Sequence, residues 1–216
     1  MAARVASGAA ALGLPLSAQQ VDRFVVYVRL IERWNQIYNL TAVRDPRDMV
    51  SQHIVDCLAA VAALLRRRHA AACRNLLDVG SGAGLPGLVF ALAAPTMEVT
   101  CVDSVGKKAA FITQAAGTLG LRNVEAVHGR VEAVVGRTFD VIASRAFAPL
   151  RDFVGMTSHL LAGDGIWMAM KGRAPTAELA ALADVTFHVE PISVPGLTAE
   201  RCLVWMRPNI EVCARL

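Results

Sequence analysis

Aromatic residues make up only 6% of this 216-residue sequence, and none of its nine prolines precedes a cysteine. So few aromatic side chains argue against an extended base-stacking platform for single-stranded nucleic acid. A Pro-Cys pair commonly supplies the thiolate nucleophile for methylation at cytosine C5, so that chemistry is excluded as well. The five cysteines include no Cys-x-x-Cys spacing and are odd in number. They predict no disulfide framework and no metal site, and they favour a reducing, cytoplasmic location.

Uninterrupted hydrophobic runs are also missing. The uncharged run at residues 79–97 contains four glycines and two prolines, so it does not predict a transmembrane helix. Residues 1–16 are rich in alanine but are interrupted by Gly8, Gly13 and Pro15, so we expect a flexible leader rather than a signal peptide. The hydrophobic content of 55% and charged content of 19% are those of a folded protein long enough to bury a core.

A helical extension is predicted over residues 17–73. Residues 17–20 (Ser-Ala-Gln-Gln) have the spacing of a capping box, and apolar residues follow at helical intervals to about Tyr38. The Asp-Pro pair at 45–46 predicts the N-cap and first position of a second helix. The extension therefore contributes two helices ahead of the rest of the chain.

From residue 74 the pattern changes to alternating strands and helices, which predicts an α/β core over 74–208 and a tail at 209–216. Strands are expected at 75–80, 98–103, 124–129, 139–144, 165–171, 186–193 and 201–207, with helices near 84–94, 106–119, 149–161 and 176–183. Such alternation predicts a Rossmann-like, mostly parallel sheet covered on both faces. The last two strands are joined through Pro195 and Gly196 without a helix, which predicts an antiparallel edge.

A glycine-rich loop follows the first core strand. Residues 77–87 read Leu-Asp-Val-Gly-Ser-Gly-Ala-Gly-Leu-Pro-Gly, and Asp103 ends the next predicted strand. Closely spaced glycines let the backbone approach a ligand, and an acid at the end of the second strand accepts hydrogen bonds from ribose hydroxyls. A nucleotide-type cofactor is therefore predicted across the two strand ends.

The glycine spacing alone fits NAD as well as S-adenosylmethionine. Asp78 favours the second, because its carboxylate would repel a pyrophosphate but suits the cationic amino-acid end of S-adenosylmethionine. The loop thus resembles the first motif of class I methyltransferases. The purely structural alternative is a glycine-rich turn that binds no ligand and only lets a helix pack on its strand.

Basic residues crowd the junction between the extension and the core. The formal net charge of the chain is +4, and this cluster consists of Arg66, Arg67, Arg68, His69 and Arg74. Such a cluster can supply phosphate contacts to a nucleic acid, or it can be the solvated end of a helix. Both interpretations remain open from the sequence.

Several motifs occur together, and in order, over about residues 20–208. They are residues 34–41 (Trp-Asn-Gln-Ile-Tyr-Asn-Leu-Thr), 53–58 (His-Ile-Val-Asp-Cys-Leu), the glycine loop, 103–108 (Asp-Ser-Val-Gly-Lys-Lys), 128–132 (His-Gly-Arg-Val-Glu), 144–147 (Ser-Arg-Ala-Phe) and 171–172 (Lys-Gly). Together they resemble the ribosomal RNA small-subunit methyltransferase G family, RsmG or GidB. The family usually has serine where Cys57 stands, a near-isosteric difference expected to alter packing more than chemistry.

This resemblance implies methyl transfer from S-adenosylmethionine to N7 of a guanine in 16S ribosomal RNA. It also implies 16S ribosomal RNA or the small ribosomal subunit as partner; we expect a monomer that needs no other protein and no membrane. The family's cofactor contacts fall on Gly80, Leu85, Val131, Glu132 and Arg145. From the strand ends and the loop we add Asp78, Gly82, Gly84, Asp103 and Ser104.

Two of these residues have structural alternatives. Glu132 could instead cap the next short helix. Arg145 could pair with Asp78 or Asp103, because arginines that line a site are often also ion-paired.

Guanine N7 carries a lone pair and no proton, so its methylation requires alignment and desolvation rather than a general base. We therefore predict Arg130, Arg145 and Lys171 as cationic clamps on RNA or base, and His53 and Asn39 as donors from the extension. His53 could equally be a packing residue bonded to Asp56.

Other function classes remain to be weighed. Enzymes that methylate exocyclic amines typically carry Asp/Asn-Pro-Pro-aromatic after the fourth strand, whereas residues 144–147 here read Ser-Arg-Ala-Phe. An NAD-linked oxidoreductase is disfavoured by Asp78. A non-catalytic ribosome-binding factor on the same fold is disfavoured by the intact acids around intact glycines.

Overall fold

The computed structural model describes residues 1–67, 73–182 and 184–209 of the chain. Its strands are β1 (Asn75–Val79), β2 (Glu98–Asp103), β3 (Val124–His128), β4 (Phe139–Arg145), β5 (Leu161–Lys171), β6 (Val185–Pro191) and β7 (Cys202–Pro208). Its α-helices are α1 (Ala2–Ala11), α2 (Ala18–Tyr38), α3 (Pro46–Met49), α4 (Asp56–Leu65), α5 (Gly87–Ala93), α6 (Gly106–Leu119), α7 (Leu150–Thr157) and α8 (Thr176–Ala180). The predicted tail beyond residue 209 lies outside the described residues.

One sheet runs in the order β3-β2-β1-β4-β5-β7-β6. Strands β1 to β5 are parallel, and β7 pairs antiparallel with both β5 and β6. The predicted α/β fold with an antiparallel hairpin at one edge is confirmed. The carboxyl ends of β1, β2 and β4 lie side by side, which is where an open parallel sheet places its ligand.

The extension opens with the predicted capping box. The backbone N–H of Gln20 donates to Ser17 Oγ at 3.2 Å, and the Gln20 side chain accepts from the Ser17 N–H at 2.9 Å. Helix α2 then runs to Tyr38 and ends at Asn39, whose backbone is left-handed with φ of 49°. Both the start and the end of this helix agree with the sequence prediction.

The first 16 residues differ from the prediction of a flexible leader. Residues Ala2–Ala11 form α1, in which Val5 is fully buried. A Cβ added at Gly8 would lie 2.9 Å from Val55 Cγ2, so α1 sits directly on the second helix of the extension. Alanine has the highest helix propensity, and burial of Val5 supplies the packing that a short helix needs. The prediction of a flexible leader is therefore wrong for this segment, while the other domain boundaries stay predictions.

The second helix of the extension is continuous from Pro46 to Leu65 but changes its winding. Asp45 caps it by accepting from the Arg47 N–H at 2.7 Å. Between α3 and α4 the turns at Val50–Val55 are π-helical, a form often found at functional sites. By length and composition the helix could cross a membrane, but 78% of its apolar window is buried inside the fold. It is therefore a core helix.

Candidate active site

The glycine loop begins where β1 ends, and two hydrogen bonds to Asp78 hold it in place. Its Oδ2 accepts from the Gly87 N–H at 2.8 Å, and its backbone oxygen accepts from Ser81 Oγ at 2.8 Å. A Cβ added at Gly87 would come within 2.8 Å of Asp78 Oδ2, so only glycine fits at the first position of α5. Asp78 thus joins the end of β1 to the start of the helix that follows.

Asp78 lies beneath the loop and lines neither of the two cavities described below. It is fully buried, and its Oδ1 has no hydrogen-bond partner among the described residues. Burial raises the pKa of Asp78 to about 7, against the opposing effect of the Gly87 N–H. The predicted contact with a cofactor ammonium stays a prediction. The argument that Asp78 would repel a pyrophosphate is weakened, because a buried acid with this pKa is only partly charged at neutral pH.

Asp103 is the last residue of β2, two residues beyond Cys101, which pairs with Asp78 across the sheet. Its Oδ2 accepts from the Gly82 N–H at 2.8 Å, and its Oδ1 accepts from the Val105 N–H at 2.9 Å. The carboxylate therefore connects the end of β2 to the middle of the glycine loop. An ionised carboxylate has acceptor sites to spare after two such bonds, so it can still receive hydroxyl donors.

A cavity of about 380 Å³ opens beside this carboxylate, and we call it the Asp103 cavity. The predicted site residues that line it are Gly80, Asp103, Ser104, Arg130, Val131 and Glu132. Val131 is buried, whereas Arg130 and Glu132 are exposed and form an ion pair of 3.7 Å. Glu132 lies in a 3₁₀ turn, Val131–Ala133, that has no side-chain cap, so the capping alternative is not supported.

A second cavity of about 550 Å³ lies next to the first, and we call it the Arg145 cavity. The two share Gly80, Lys108 and Ala146, so they adjoin across the strand ends, and we call the pair of cavities the groove. Its lining includes Thr41, Gln52, His53 and Asp56 from the extension, and Gly82, Leu85, Lys108, Arg145, Lys171 and Arg201 from the core. Segments far apart in the sequence thus meet in this half of the groove.

Arg145 is the centre of the Arg145 cavity. Its Nη1 donates to the backbone oxygen of Gln52 at 3.1 Å and lies 3.5 Å from Asp56 Oδ2. Asp56 also accepts from Arg201 Nε at 2.9 Å, so one buried carboxylate is shared by two guanidinium groups. Burial raises the pKa of Asp56 above its usual value, and the two arginines oppose that rise. The alternative pairing of Arg145 with Asp78 or Asp103 is wrong.

His53 is buried beside Arg145. Its Nδ1 lies 3.4 Å from Arg145 Nη1, and its Nε2 lies 2.7 Å from Thr41 Oγ1. Burial, and then the charge of Arg145, lower the pKa of His53 to about 4, although the Gln52 carbonyl opposes the change. The ring is therefore neutral at physiological pH. The hydrogen bond to Asp56 considered from the sequence is wrong, because Thr41 takes that place.

The other residues predicted to contact RNA or base, Lys171, Asn39 and Arg130, lie in different places. Lys171 lines the Arg145 cavity and binds both carboxylate oxygens of Glu178, at 2.8 and 3.0 Å. Asn39 is exposed outside both cavities, where its Oδ1 accepts from Arg44 Nη2 at 3.2 Å. Arg130 belongs to the Asp103 cavity. The three predicted cationic clamps therefore line two adjoining cavities, and their contact with RNA or base stays a prediction.

Comparison with known sequences decides the family. A profile described as "rRNA small subunit methyltransferase G", GidB, matches residues 20–204. The chain belongs to this family. The ribosomal RNA small subunit methyltransferase G of Acidovorax sp. (strain JS42) is 55% identical over 212 residues, 93% of this chain and 92% of that protein. The protein of the same name from Methylibium petroleiphilum is 55% identical over 201 residues, 92% of this chain and 90% of that protein.

Solved structures agree with the fold of this family member. A methyltransferase from Aquifex aeolicus, described as dependent on S-adenosylmethionine, has a TM-score of 0.56 at 15% identity, covering 84% of this chain and 97% of that one. A mutant of MtNAS in complex with S-adenosylmethionine has a TM-score of 0.58 at 18% identity, covering 88% and 77% of the two chains. At such identities the likeness concerns the fold alone.

Tyr27 supports the glycine loop of this methyltransferase-family chain through its hydroxyl. The sequence did not single out this residue. It is fully buried on α2, and its hydroxyl lies 2.5 Å from the Ala83 oxygen and 3.1 Å from the Gly84 oxygen. Gly84 has φ of +77°, and an added Cβ would lie 3.2 Å from the Tyr27 hydroxyl. A tyrosine among apolar residues at helical spacing is an available signal, since buried tyrosines usually bond through the hydroxyl.

The described members of the basic cluster, Arg66, Arg67 and Arg74, line neither cavity of the groove. Arg66 Nη2 is 3.5 Å from Glu190 Oε1, and the Arg67 guanidinium lies 4.3 Å from the ring centroid of Trp205. Arg68 and His69 lie outside the described residues. A separate cavity of about 740 Å³ is lined by Arg67 and Trp205 but by none of the predicted site residues. The choice between RNA contact and solvated helix end stays open.

Proposed function

We propose that this chain transfers a methyl group from S-adenosylmethionine to N7 of a guanine in 16S ribosomal RNA, as a cytoplasmic monomer. Family membership supports a methyltransferase of small-subunit ribosomal RNA. The observation that carries the proposal is that the Asp103 and Arg145 cavities adjoin at the strand ends, where they share three lining residues. One groove thus offers a carboxylate for a nucleoside at one end and a cationic pocket for a nucleotide at the other.

The residues of the Asp103 cavity fit the nucleoside part of S-adenosylmethionine. The Asp103 carboxylate suits ribose hydroxyls, and buried Val131 supplies apolar surface for a base beside Glu132. The glycine loop would face the remainder of the cofactor through Gly80 and Gly82, which line the groove. When bound, S-adenosylmethionine supplies an electrophilic methyl group on its sulfonium. The backbone and side chains of this groove position that group and exclude water.

The Arg145 cavity contains positioning groups and no general base suited to neutral pH. His53 has its pKa lowered to about 4 and is already bonded to Thr41. Asp56 is buried between two arginines. Guanine N7 loses no proton on methylation, so alignment of the acceptor is all that the chemistry requires of these residues. The arrangement therefore favours a ring nitrogen as the target.

Charge in the Arg145 cavity suits an RNA substrate. Lys108, Arg145, Lys171 and Arg201 line it, and Asp56 is the acid among its lining residues. One carboxylate shared by two guanidinium groups leaves a net positive charge, before Lys108 is counted. Such a cavity attracts the phosphates next to an inserted nucleotide.

The decisive experiment is methylation of small ribosomal subunits from a strain that lacks this modification, using S-adenosylmethionine labelled in the methyl group. The label should enter 16S ribosomal RNA, and borohydride followed by aniline should cleave the RNA at one guanine. Label on an exocyclic amine would contradict the N7 assignment. Binding to subunits without any transfer would instead support a non-catalytic ribosome-binding factor. Calorimetric titration with S-adenosylmethionine and NAD tests the cofactor separately.

A further inference from the structure

The direction of the Thr41 hydroxyl hydrogen follows from a chain of hydrogen bonds that begins at Arg145. A guanidinium group carries only donors, so the ring nitrogen that faces it, His53 Nδ1 at 3.4 Å, must offer a lone pair. Neutral histidine carries one ring hydrogen, which therefore resides on Nε2. The low pKa of His53, about 4, agrees with a neutral ring in this position.

The ring hydrogen is donated to Thr41. His53 Nε2 lies 2.7 Å from Thr41 Oγ1, and the Val43 N–H donates to the same oxygen at 3.2 Å. A hydroxyl accepts two hydrogen bonds and donates one. Since both acceptor positions are occupied, Thr41 can act toward a ligand only as a donor. No acceptor for this hydrogen is found among the described residues, and Thr41 lines the cavity.

We propose that Thr41 is a specificity-determining residue that donates its hydroxyl hydrogen to O6 of the target guanine. This inference rests on the proposed function and deepens it. Guanine presents two acceptors, N7 and O6, on the edge that is methylated, whereas adenine presents N7 beside an amine donor. Because the Thr41 hydroxyl can only donate, it forms a hydrogen bond with guanine O6. At adenine it would face the amine, which is also a donor. The series of hydrogen bonds from Arg145 through His53 to Thr41 thus favours guanine over adenine, because it fixes Thr41 as a donor.

The test compares Thr41→Val, which removes the hydroxyl at nearly constant shape, with Thr41→Ser, which keeps it. Once the methylated guanine is mapped, small subunits are reconstituted with guanosine, inosine or 2-aminopurine ribonucleoside at that position. Inosine keeps O6 and N7, while 2-aminopurine keeps N7 but lacks O6. Single-turnover methyl transfer is measured for each pair of protein and base, and S-adenosylmethionine affinity is measured by calorimetry.

We expect Thr41→Val to slow transfer to guanosine and to inosine about tenfold and to leave the rate on 2-aminopurine unchanged, because hydroxyl and O6 act as one pair. Thr41→Ser should recover most of the rate, and both variants should bind S-adenosylmethionine like the wild type. Equal slowing on all three bases would overturn the inference, as would a loss of cofactor affinity matching the loss of rate. Neither result would contradict the proposed function. Absence of N7 transfer by the wild type would contradict both.

Discussion

The two halves of the groove are built in different ways. In the Asp103 cavity the lining comes from the core alone, and Ser104, Arg130 and Glu132 are exposed. In the Arg145 cavity the extension and the core interlock, and His53 and Asp56 are buried. The first half can therefore adjust to its ligand through surface side chains, whereas the second is preorganised by contacts that exist before any ligand binds.

In the proposed function this difference separates cofactor binding from acceptor placement. Arg145 contacts Gln52 and His53 across 93 and 92 residues of sequence, so its position depends on docking of the extension. Asp103 depends on its own strand and on the neighbouring loop, 21 residues away. Changes in the Arg145 cavity should therefore affect transfer more than cofactor affinity, and changes at Asp103 should do the reverse.

The largest expected effect is that of Arg145→Ala compared with Arg130→Ala. Loss of Arg145 removes the group that orients Gln52, His53 and Asp56, and misplacement of reacting groups by about 1 Å can cost about a hundredfold in rate. We expect at least that loss in single-turnover transfer, and only a few-fold loss for exposed Arg130. Equal losses would contradict this difference between the two halves of the groove. Thermal unfolding of both variants controls for folding.

Asp103→Ala should have the next largest effect, on cofactor affinity. Loss of a charged hydrogen bond costs about 1.5–3 kcal/mol, which raises the Kd for S-adenosylmethionine about tenfold to a hundredfold. Calorimetry provides the measurement, and Asp103→Asn is the conservative comparison because it keeps an acceptor for the Gly82 N–H. An unchanged Kd in folded Asp103→Ala would show that Asp103 does not contribute to cofactor binding.

Tyr27→Phe tests how the extension supports the glycine loop. Removing the hydroxyl leaves the buried Ala83 carbonyl without this donor, at a cost of about 1–3 kcal/mol in stability. Tyr38→Phe, on the same helix but exposed, is the matched control and should change neither stability nor affinity. Denaturant titration gives the stability difference, and calorimetry should show a modest rise in Kd for S-adenosylmethionine. A null result for Tyr27→Phe would mean that the loop holds its shape without the extension.

Asp78 should leave a signature in the pH dependence of stability. The pKa of Asp78 is about 7 in the folded protein and about 4 in the unfolded chain, so the folded state binds the proton more tightly. This contribution is fully present below about pH 4 and is lost as pH rises through 7. Asp78→Asn removes that titration. The stability of Asp78→Asn relative to the wild type should therefore increase from pH 4 to 7, and a constant difference would refute the assigned pKa.

His53→Gln should have the smallest effect. Glutamine can accept from Arg145 through its oxygen and donate to Thr41 through its amide, so the order of the hydrogen bonds is kept. We expect most of the transfer rate to remain. Since the pKa of His53 is about 4, both proteins should show nearly flat single-turnover rates between about pH 6.5 and 8.5. A steep rise with pH in the wild type only would assign His53 as a base.

Local patterns in the sequence were enough to predict the fold and the Asp103 cavity. Alternating strands and helices imply a parallel sheet, and such a sheet brings the ends of β1 and β2 together with the glycine loop between them. Asp103 is predictable for that reason, because it ends β2 beside the loop, whereas Gly80 and Val131 were implied by the resemblance to the family. The capping box of α2 is equally local, since its hydrogen bonds join Ser17 to Gln20.

Only the tertiary structure decided the partners of Arg145 and the difference between the two buried acids. Periodicity places His53 and Asp56 on one helix, but it does not show that both contact Arg145 at the end of β4 or that Thr41 takes the ring nitrogen. Asp78 and Asp103 look equivalent in sequence, yet one is covered by the loop and the other faces the groove. Burial and long-range hydrogen bonds depend on how distant segments pack, and local propensities carry no information about that packing.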